Sequence, residues 1–350
     1  MIPGSHPVIQ NRKSVLKALV PVLVFLLLAV SGLFYVKWWP YYHKALFAAE
    51  QHTIGGSILN VENTLASLSA ASQYAISYFK SVWKAAVLGI LLGSLVQAVL
   101  PADWLYRLFG KPDLKSTFLG GAVALPGMMC SCCAAPIAAG LRERKASVGA
   151  SLAFWLGNPV LNPAVLIFMT FVLSWKFTIL RLVFGVILTF GVSYLANRFA
   201  KHETAADEVP LPHTESGETA SIFVRWMKSA AAITIHAVPA YVISVFVLSA
   251  IHSFMFPVWL EAGILAVIVF AVIGALFVIP TAAEIPIIQS FLSFGMGTGP
   301  AAALLVTLPA LSLPSILLVY KSFPRKVIWF VFASVVGIGI LSGLIGSFVL

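Results

Sequence analysis

Three thiols and two thioethers fall within six positions of this chain, at Met128, Met129, Cys130, Cys132 and Cys133, in a segment bounded by Pro126 and Pro136. Thiolates and thioethers are soft donors, suited to copper(I), zinc or a trivalent metalloid. Small and flexible apolar residues of these types also pack a tight hairpin, so two readings stand: a soft-ion site with Met129, Cys130, Cys132 and Cys133 as ligands, or compact packing. The neighbouring Cys132 and Cys133 chelate less freely than a C-x-x-C pair, so no closed four-ligand structural zinc site is implied. Three cysteines this close together do not form the spaced framework of a secreted disulfide scaffold.

A second candidate is Glu284, set between Pro280 and Pro286 in an otherwise apolar stretch. A carboxylate at bilayer depth costs about 2.5–3.5 kcal/mol on insertion scales, so it is expected to face a cavity, a partner or a proton path. It can bind a cation, carry a coupling proton or cap a half-helix. Asn158 and Asn162 precede Pro159 and Pro163, which free backbone carbonyls; the two amides can repair that break or coordinate a solute. His236 lies in an apolar span near Pro239 and suits either a proton relay or an interhelical hydrogen bond.

These residues sit in a chain of 350 residues that is 60% hydrophobic and only 10% charged, with a mean hydropathy of +0.98. Soluble domains run nearer 45–50% apolar and about 25% charged. A chain this apolar takes lipid as its solvent, in helical spans of about 20 residues. The formal net charge of +10 does not indicate nucleic-acid binding, because the basic residues fall in short clusters between apolar runs, the positive-inside pattern. Full spans are expected at Val15 to Val36, Val82 to Leu100, Ser147 to Ser174, Phe177 to Asn197, Lys228 to Ile251, Pro300 to Tyr320 and Val327 to Val349. The first is too long for a signal-peptide core and lacks a cleavage site. Trp38, Trp39 and Trp175 fit an aromatic belt. Residues 61–79 read as an amphipathic segment at the interface.

Ser116 to Gly140 and Val258 to Phe294 are apolar but broken by glycine and proline. Irregular backbone is tolerated at bilayer depth only where it is buried in protein or lines a cavity. Pro136 and Pro286, Gly149 and Gly299, and Pro159 and Pro309 are each 150 residues apart, the breakers of two halves in register. Arg107, Lys111 and Lys115 precede the first broken segment and Arg142, Arg144 and Lys145 follow it, so both its ends belong on the cytoplasmic face. The equivalent Val258 to Phe294 then enters from the opposite face, and the halves form an inverted repeat. In secondary transporters such paired broken elements meet at the substrate site.

The C-S-C-x-x-x-P core from Cys130 to Pro136, with Ile137, Gly140, Leu141, Arg142, Gly149, Ala150, Asn158, Pro159 and the later Glu284, Ile285 and Pro286, resembles the predicted permeases typified by YraQ and the ArsP-type organoarsenical efflux permeases. The resemblance covers roughly Ser81 to Tyr320. It implies a plasma-membrane permease of two related halves and, for some members, efflux of trivalent organoarsenicals or export of soft or transition metals. The chain departs from it in placing Cys133 directly after Cys132, and in its Asn158, Pro159, Asn162, Pro163 pattern.

The expectation is therefore an all-α integral membrane protein with about seven full transmembrane helices and two re-entrant hairpins, eight to nine hydrophobic segments in all. Its parts are an N-terminal helix and outer loop (1–60), a first half (61–199), a cytoplasmic linker (200–224) and a second half (225–350), with a cytoplasmic N-terminus. The expected partners are the lipid bilayer and a small solute or ion, a soft metal or trivalent metalloid, moved outward. Cys130, Cys132, Cys133, Met129, Asn158, Asn162 and Glu284 are its expected contacts, with proton coupling through Glu284 or His236; no cofactor, nucleic acid or enzymatic activity is expected. No G-x-x-x-x-G-K-[ST], H-E-x-x-H or G-x-S-x-G motif is present. Alternatives are a permease for a small sulfur-containing anion, a membrane-embedded thiol enzyme, and a scaffold or insertion factor.

Overall fold

The computed structural model describes residues 22–56, 68–200, 222–255 and 263–350. The expected linker after residue 200, the basic N-terminal cluster and residues 61–67 lie outside these. The described residues form helices and no strand, and seven helical segments are long and apolar enough to cross a membrane. Outward faces carry large apolar side chains such as Leu27, Ile235, Trp329 and Phe348, while Ser94, Thr117, Asn158 and Thr307 are buried inside. That arrangement suits lipid outside and hydrogen-bonded packing within, so this is an all-α integral membrane protein.

In chain order the helices are α1 (Val22–Gln51), α2 (Leu68–Ala98), α3 (Ala102–Phe109), α4 (Leu114–Ala124), α5 (Ser131–Glu143), α6 (Val148–Val160), α7 (Pro163–Val172), α8 (Trp175–Ala200), α9 (Ile222–Met255), α10 (Ile264–Leu276), α11 (Glu284–Ser293), α12 (Thr298–Ala310), α13 (Leu313–Val319) and α14 (Arg325–Val349). Helix α4 starts at Asp113, whose carboxylate accepts the Ser116 N–H at 2.8 Å; that hydrogen bond holds its carboxyl below the usual range. A 3-10 turn, Leu125–Gly127, then reverses the chain into α5. Ser147 N–H, just past α5, donates to Phe109 O, just before α4, at 2.7 Å. Both ends of this hairpin therefore lie on one face, as expected.

Two contacts fix the sense of the remaining elements. Arg142, at the end of α5, donates to Ser322 O, which places the end of α13 on the hairpin's face. Lys176, at the start of α8, donates to Val349 O, so α7 ends on the opposite face. Segment α6–α7 thus leaves the hairpin's face and α12–α13 returns to it. Arg107, Arg142, Arg144, Lys321 and Arg325 all sit on the hairpin's face, hereafter the basic face. Close packing recurs at a spacing of 150 residues: a Cβ added to Gly149 meets Ser193 and Asn197, and one added to Gly299 meets Gly343 and Ser347. Gly157 meets Thr189, and in the second half the partners exchange size, Gly339 meeting Thr307.

Several boundaries differ from expectation for identifiable reasons. The first span does not end at Val36; a π-helical stretch, Phe34–Trp38, carries it on to Gln51. Pro40 cannot donate to the carbonyl one turn back, and the widened turn absorbs that loss. Trp38, half-buried, serves the bundle rather than an interfacial belt, donating to Pro126 O at 2.7 Å. The two long spans at Ser147 to Ser174 and Pro300 to Tyr320 are each broken in the middle, where Asn162 and Ser312 cap the second piece and Pro163 and Pro314 occupy its first turn. The described part of residues 61–79 belongs to the spanning helix α2, not to an interfacial one, because Tyr74 and Tyr78 are buried against the bundle.

Helices α2 and α5 run parallel in very close contact, Gly89 against Cys133, Gly93 against Pro136 and Gly140 against Gly93; a Cβ on Gly89 falls 2.4 Å from Cys133 O. Gly89→Ala is expected to displace α5 and destabilise the protein by about 1–3 kcal/mol. Gly337→Ala, where an added Cβ meets nothing within 4 Å, should be neutral or stabilising by up to about 1 kcal/mol. Thermal unfolding of the two variants in one detergent checks the contrast.

Candidate functional site

Breaking a helix inside the bundle leaves amides and carbonyls that need partners, and the side chains that supply them build the site. Around the first break, Trp38 reaches Pro126 O, the Met129 N–H reaches Asn158 Oδ1 at 3.4 Å, and Trp155 Nε1 donates to Ser131 O at 2.9 Å. Tyr241 from α9 donates to Cys132 O. Around the second break, Tyr74 donates to Val278 O at 2.6 Å and Lys37 Nζ to Thr281 Oγ1 at 3.2 Å. Met128 and Ala282 take the left-handed conformation, with φ of 49° and 73°. Such strain persists where the surroundings over-determine it.

The first break delivers the cysteines. Cys130 is the N-cap of α5, which makes Cys133 its N3 residue, and these two positions converge at a helix start as they do in a capping box. Cys130 Sγ lies 2.9 Å from Cys133 Sγ and 3.3 Å from Cys132 Sγ, and all three sulfurs lie within 4.8 Å of one another. Three sulfurs around one ion at zinc–thiolate bond lengths stand about 3.8 Å apart, so these thiols are gathered more tightly than a shared ion holds them and part slightly to take one. All three thiols are free and buried. Tyr78 Oη lies 3.2 Å from Cys132 Sγ, and Ser131 meets Ser312 at the second-half break at 3.1 Å.

Glu284 opens α11 and forms an ion pair with Arg181 of α8 at 2.8 Å, both side chains buried. Arg181 also donates to Val160 O at 3.1 Å and Pro159 O at 2.8 Å, the carbonyls at the end of α6. One guanidinium thus closes the break at the end of α6, neutralises the carboxylate that opens α11 and ties α6, α8 and α11 together. Cys130 and Glu284 border the same small void, with Pro159, Thr281 and Pro309.

Of the residues singled out in the sequence, the cysteines and Glu284 converge here. Asn158 and Asn162 serve the backbone: Asn158 Nδ2 donates to Phe154 O and Asn162 Oδ1 accepts the Ala164 and Val165 amides. Met129 is buried beside Asn158. His236 is exposed on the outer face of α9, bonded to Ala232 O one turn back, and is not brought to the site. Sequence reasoning missed Arg181, although an arginine in an apolar span is itself a signal. It also passed over the C-x-x-C spacing of Cys130 and Cys133, and by ending the first span at Val36 it left out Lys37, which is buried.

Residues 127–348 match the family described as Predicted permease, ArsP_1. The chain belongs to this predicted permease family. The match takes in the cysteine segment and both ends of the Arg181–Glu284 pair. The UPF0718 protein YraQ of Escherichia coli strain K12 is 46% identical over 326 residues, 91% of this chain and 93% of the relative. The UPF0718 protein MJ0584 of Methanocaldococcus jannaschii is 22% identical over 306 residues, 68% of this chain and 84% of the relative. No solved structure matches this permease.

Removing one member of a buried ion pair strands the other charge at a cost of about 3–5 kcal/mol, whereas replacing both by apolar groups is close to neutral. Glu284→Gln and Arg181→Gln are each expected to lower thermal stability by that order. The Arg181→Met/Glu284→Leu double variant should recover part of the loss, with the Pro159 and Val160 carbonyls still unpaired. A double-mutant cycle in detergent measures the coupling.

Proposed function

We propose that this permease carries a small thiophilic solute, a soft metal ion or trivalent metalloid species, across the plasma membrane, with Cys130, Cys132 and Cys133 as the cargo ligands. The observation that supports it is the convergence of all three sulfurs within 4.8 Å at the tip of one hairpin, where it meets the break of the other. Clustered thiols favour soft cargo over hard cations, which take oxygen ligands.

On this reading the two halves are inverted repeats. The opposed directions of α6–α7 and α12–α13, the recurrence of contacts 150 residues apart and the meeting of both breaks at one place support it. The basic face is then cytoplasmic and the N-terminus with it. Export is the direction that the resemblance to organoarsenical efflux permeases favours. The ion pair to Arg181 gives Glu284 the role of balancing charge at the hinge between halves, and Asn158, Asn162 and Met129 shape the pocket by fixing its backbone.

In proteoliposomes supplied with methylarsenite, antimonite, copper(I) or zinc, at least one of these solutes is expected to move in a protein-dependent way. Replacing all three cysteines by serine should reduce that flux at least tenfold while the protein remains monodisperse in detergent. Wild-type flux of every solute through the triple variant would remove the thiols from the transport site.

A further inference from the structure

We propose that the cargo reaches the cysteines as an anion, a soft atom carried on a negatively charged body, through a lysine-lined vestibule opening away from the basic face. A cavity of about 420 Å3 is lined by Lys37, Lys44, Lys80 and Lys84, with Cys130 on its wall and no aspartate or glutamate among its described lining residues. Helices α2 and α5 run parallel with Gly89 against Cys133, and α5 ends at the basic face. Lys84 and Lys80 precede Gly89, so they stand about 7 and 13 Å beyond the cysteine level, on the side away from that face. The lysines form a ladder descending to the thiols.

Among the described residues no carboxylate lies within ion-pair distance of these lysines. Lys37 is buried, yet its Nζ donates only to neutral hydroxyls, those of Tyr41 and Thr281, both at 3.2 Å. Glu284, on the adjoining α11, is taken by Arg181. Lys80 and Lys84 are exposed within the apolar span of α2, and ammonium groups at such depth call for a water-filled cavity. Lys84 further lies over the Tyr35 and Trp83 rings at 5.8 and 5.7 Å.

A second feature carries the same sign. Helix α5 starts at Cys130 and α11 at Ala283, and neither N-cap accepts a hydrogen bond through its side chain. Both residues line the cavity, so two half-helix N-termini, each worth about half a positive charge, point toward one space. Four ammonium groups and two helix N-termini make a potential that raises the local concentration of anions and excludes cations. The soft end of such a solute meets Cys130 while its charged body stays among the lysines. This narrows the cargo class of the proposed permease to soft species carried in anionic form, setting aside free copper(I) and zinc cations, and it rests on that reading only for what passes, not for the selectivity of the vestibule.

The test needs no cargo, because the chain holds just three cysteines. In the Cys132→Ser/Cys133→Ser protein, Cys130 is treated with the anionic sulfonatoethyl or the cationic trimethylammonioethyl methanethiosulfonate, each rate divided by that reagent's rate with a free thiol. The anionic reagent is expected to be favoured at least about tenfold at low salt. The preference should shrink as salt rises toward 1 M, and drop at least about threefold in Lys80→Gln/Lys84→Gln, whose side chains are exposed and dispensable for packing. Parity, cationic preference or an unreactive Cys130 in folded protein overturns the vestibule. Should the serine variant not fold, mapping the label on the wild-type chain by mass spectrometry gives the same comparison. Charge selectivity found alongside wild-type flux in the triple serine protein would sink the cargo reading alone; lost flux without charge selectivity would sink the vestibule alone.

Discussion

The structure depends on one constraint: peptide groups at the tips of broken helices must find hydrogen-bond partners in an interior that has little water to offer. Two hairpins and two broken spans bring many such groups into the centre of the bundle. The partners come from side chains on neighbouring helices, Trp38, Tyr74, Trp155, Asn158, Arg181 and Tyr241. Each is buried or half-buried and aimed at a carbonyl or amide of a break, Arg181 at two, so the positions of the breaks and of the surrounding helices are fixed together. The irregular backbone at the breaks is thereby held in place by the helices that surround it.

That constraint accounts for what was legible in the sequence. Fold class followed from composition and from apolar runs long enough to span a bilayer, and Pro126 and Gly127 marked the turn of a hairpin, whereas Gly120 and Gly121 lie within α4 and pack against Ala150 and Phe190. The three cysteines were visible because their types are rare and adjacent. What stayed hidden was pairing across sequence distance. Nothing near Arg181 indicates that it closes the end of α6 and meets Glu284, 103 residues further on. Lys37 looked like a helix end because Trp38, Trp39 and Pro40 follow it, and only the π-helical turn, which shifts register by one residue, carries it inward. Periodicity reads spans well; it does not read which polar residue repairs which break.

Polar residues in the interior divide by what satisfies them. Glu284 and Arg181 neutralise each other and fill the guanidinium's remaining directions with carbonyls, which makes a buried ion pair tolerable. Asn158 and Asn162 are spent on amides and carbonyls of the break. Lys37 and Lys84 of the cavity differ, meeting hydroxyls and aromatic faces with no carboxylate at ion-pair distance. The hairpin of α4 and α5 brings thiols to the centre of the bundle and α11 brings a carboxylate already paired with Arg181, so the two breaks carry distinct chemistry.

On the proposed reading, this imbalance bears on how the site can change its exposure. An ammonium surrounded by water is stable, but closing protein around uncompensated ammonium groups removes their hydration at a cost of several kcal/mol per ion. An empty vestibule therefore resists dehydration. A bound anion neutralises part of the charge and lowers the cost of excluding water, so the occupied site is the one that can be occluded and opened to the other face. The Arg181–Glu284 pair joins α8 of the first half to α11 of the second, and it lies behind the thiols that receive the soft atom. Relative movement of the hairpins must strain or carry along that pair, which couples events at Cys130 to the packing of the two halves.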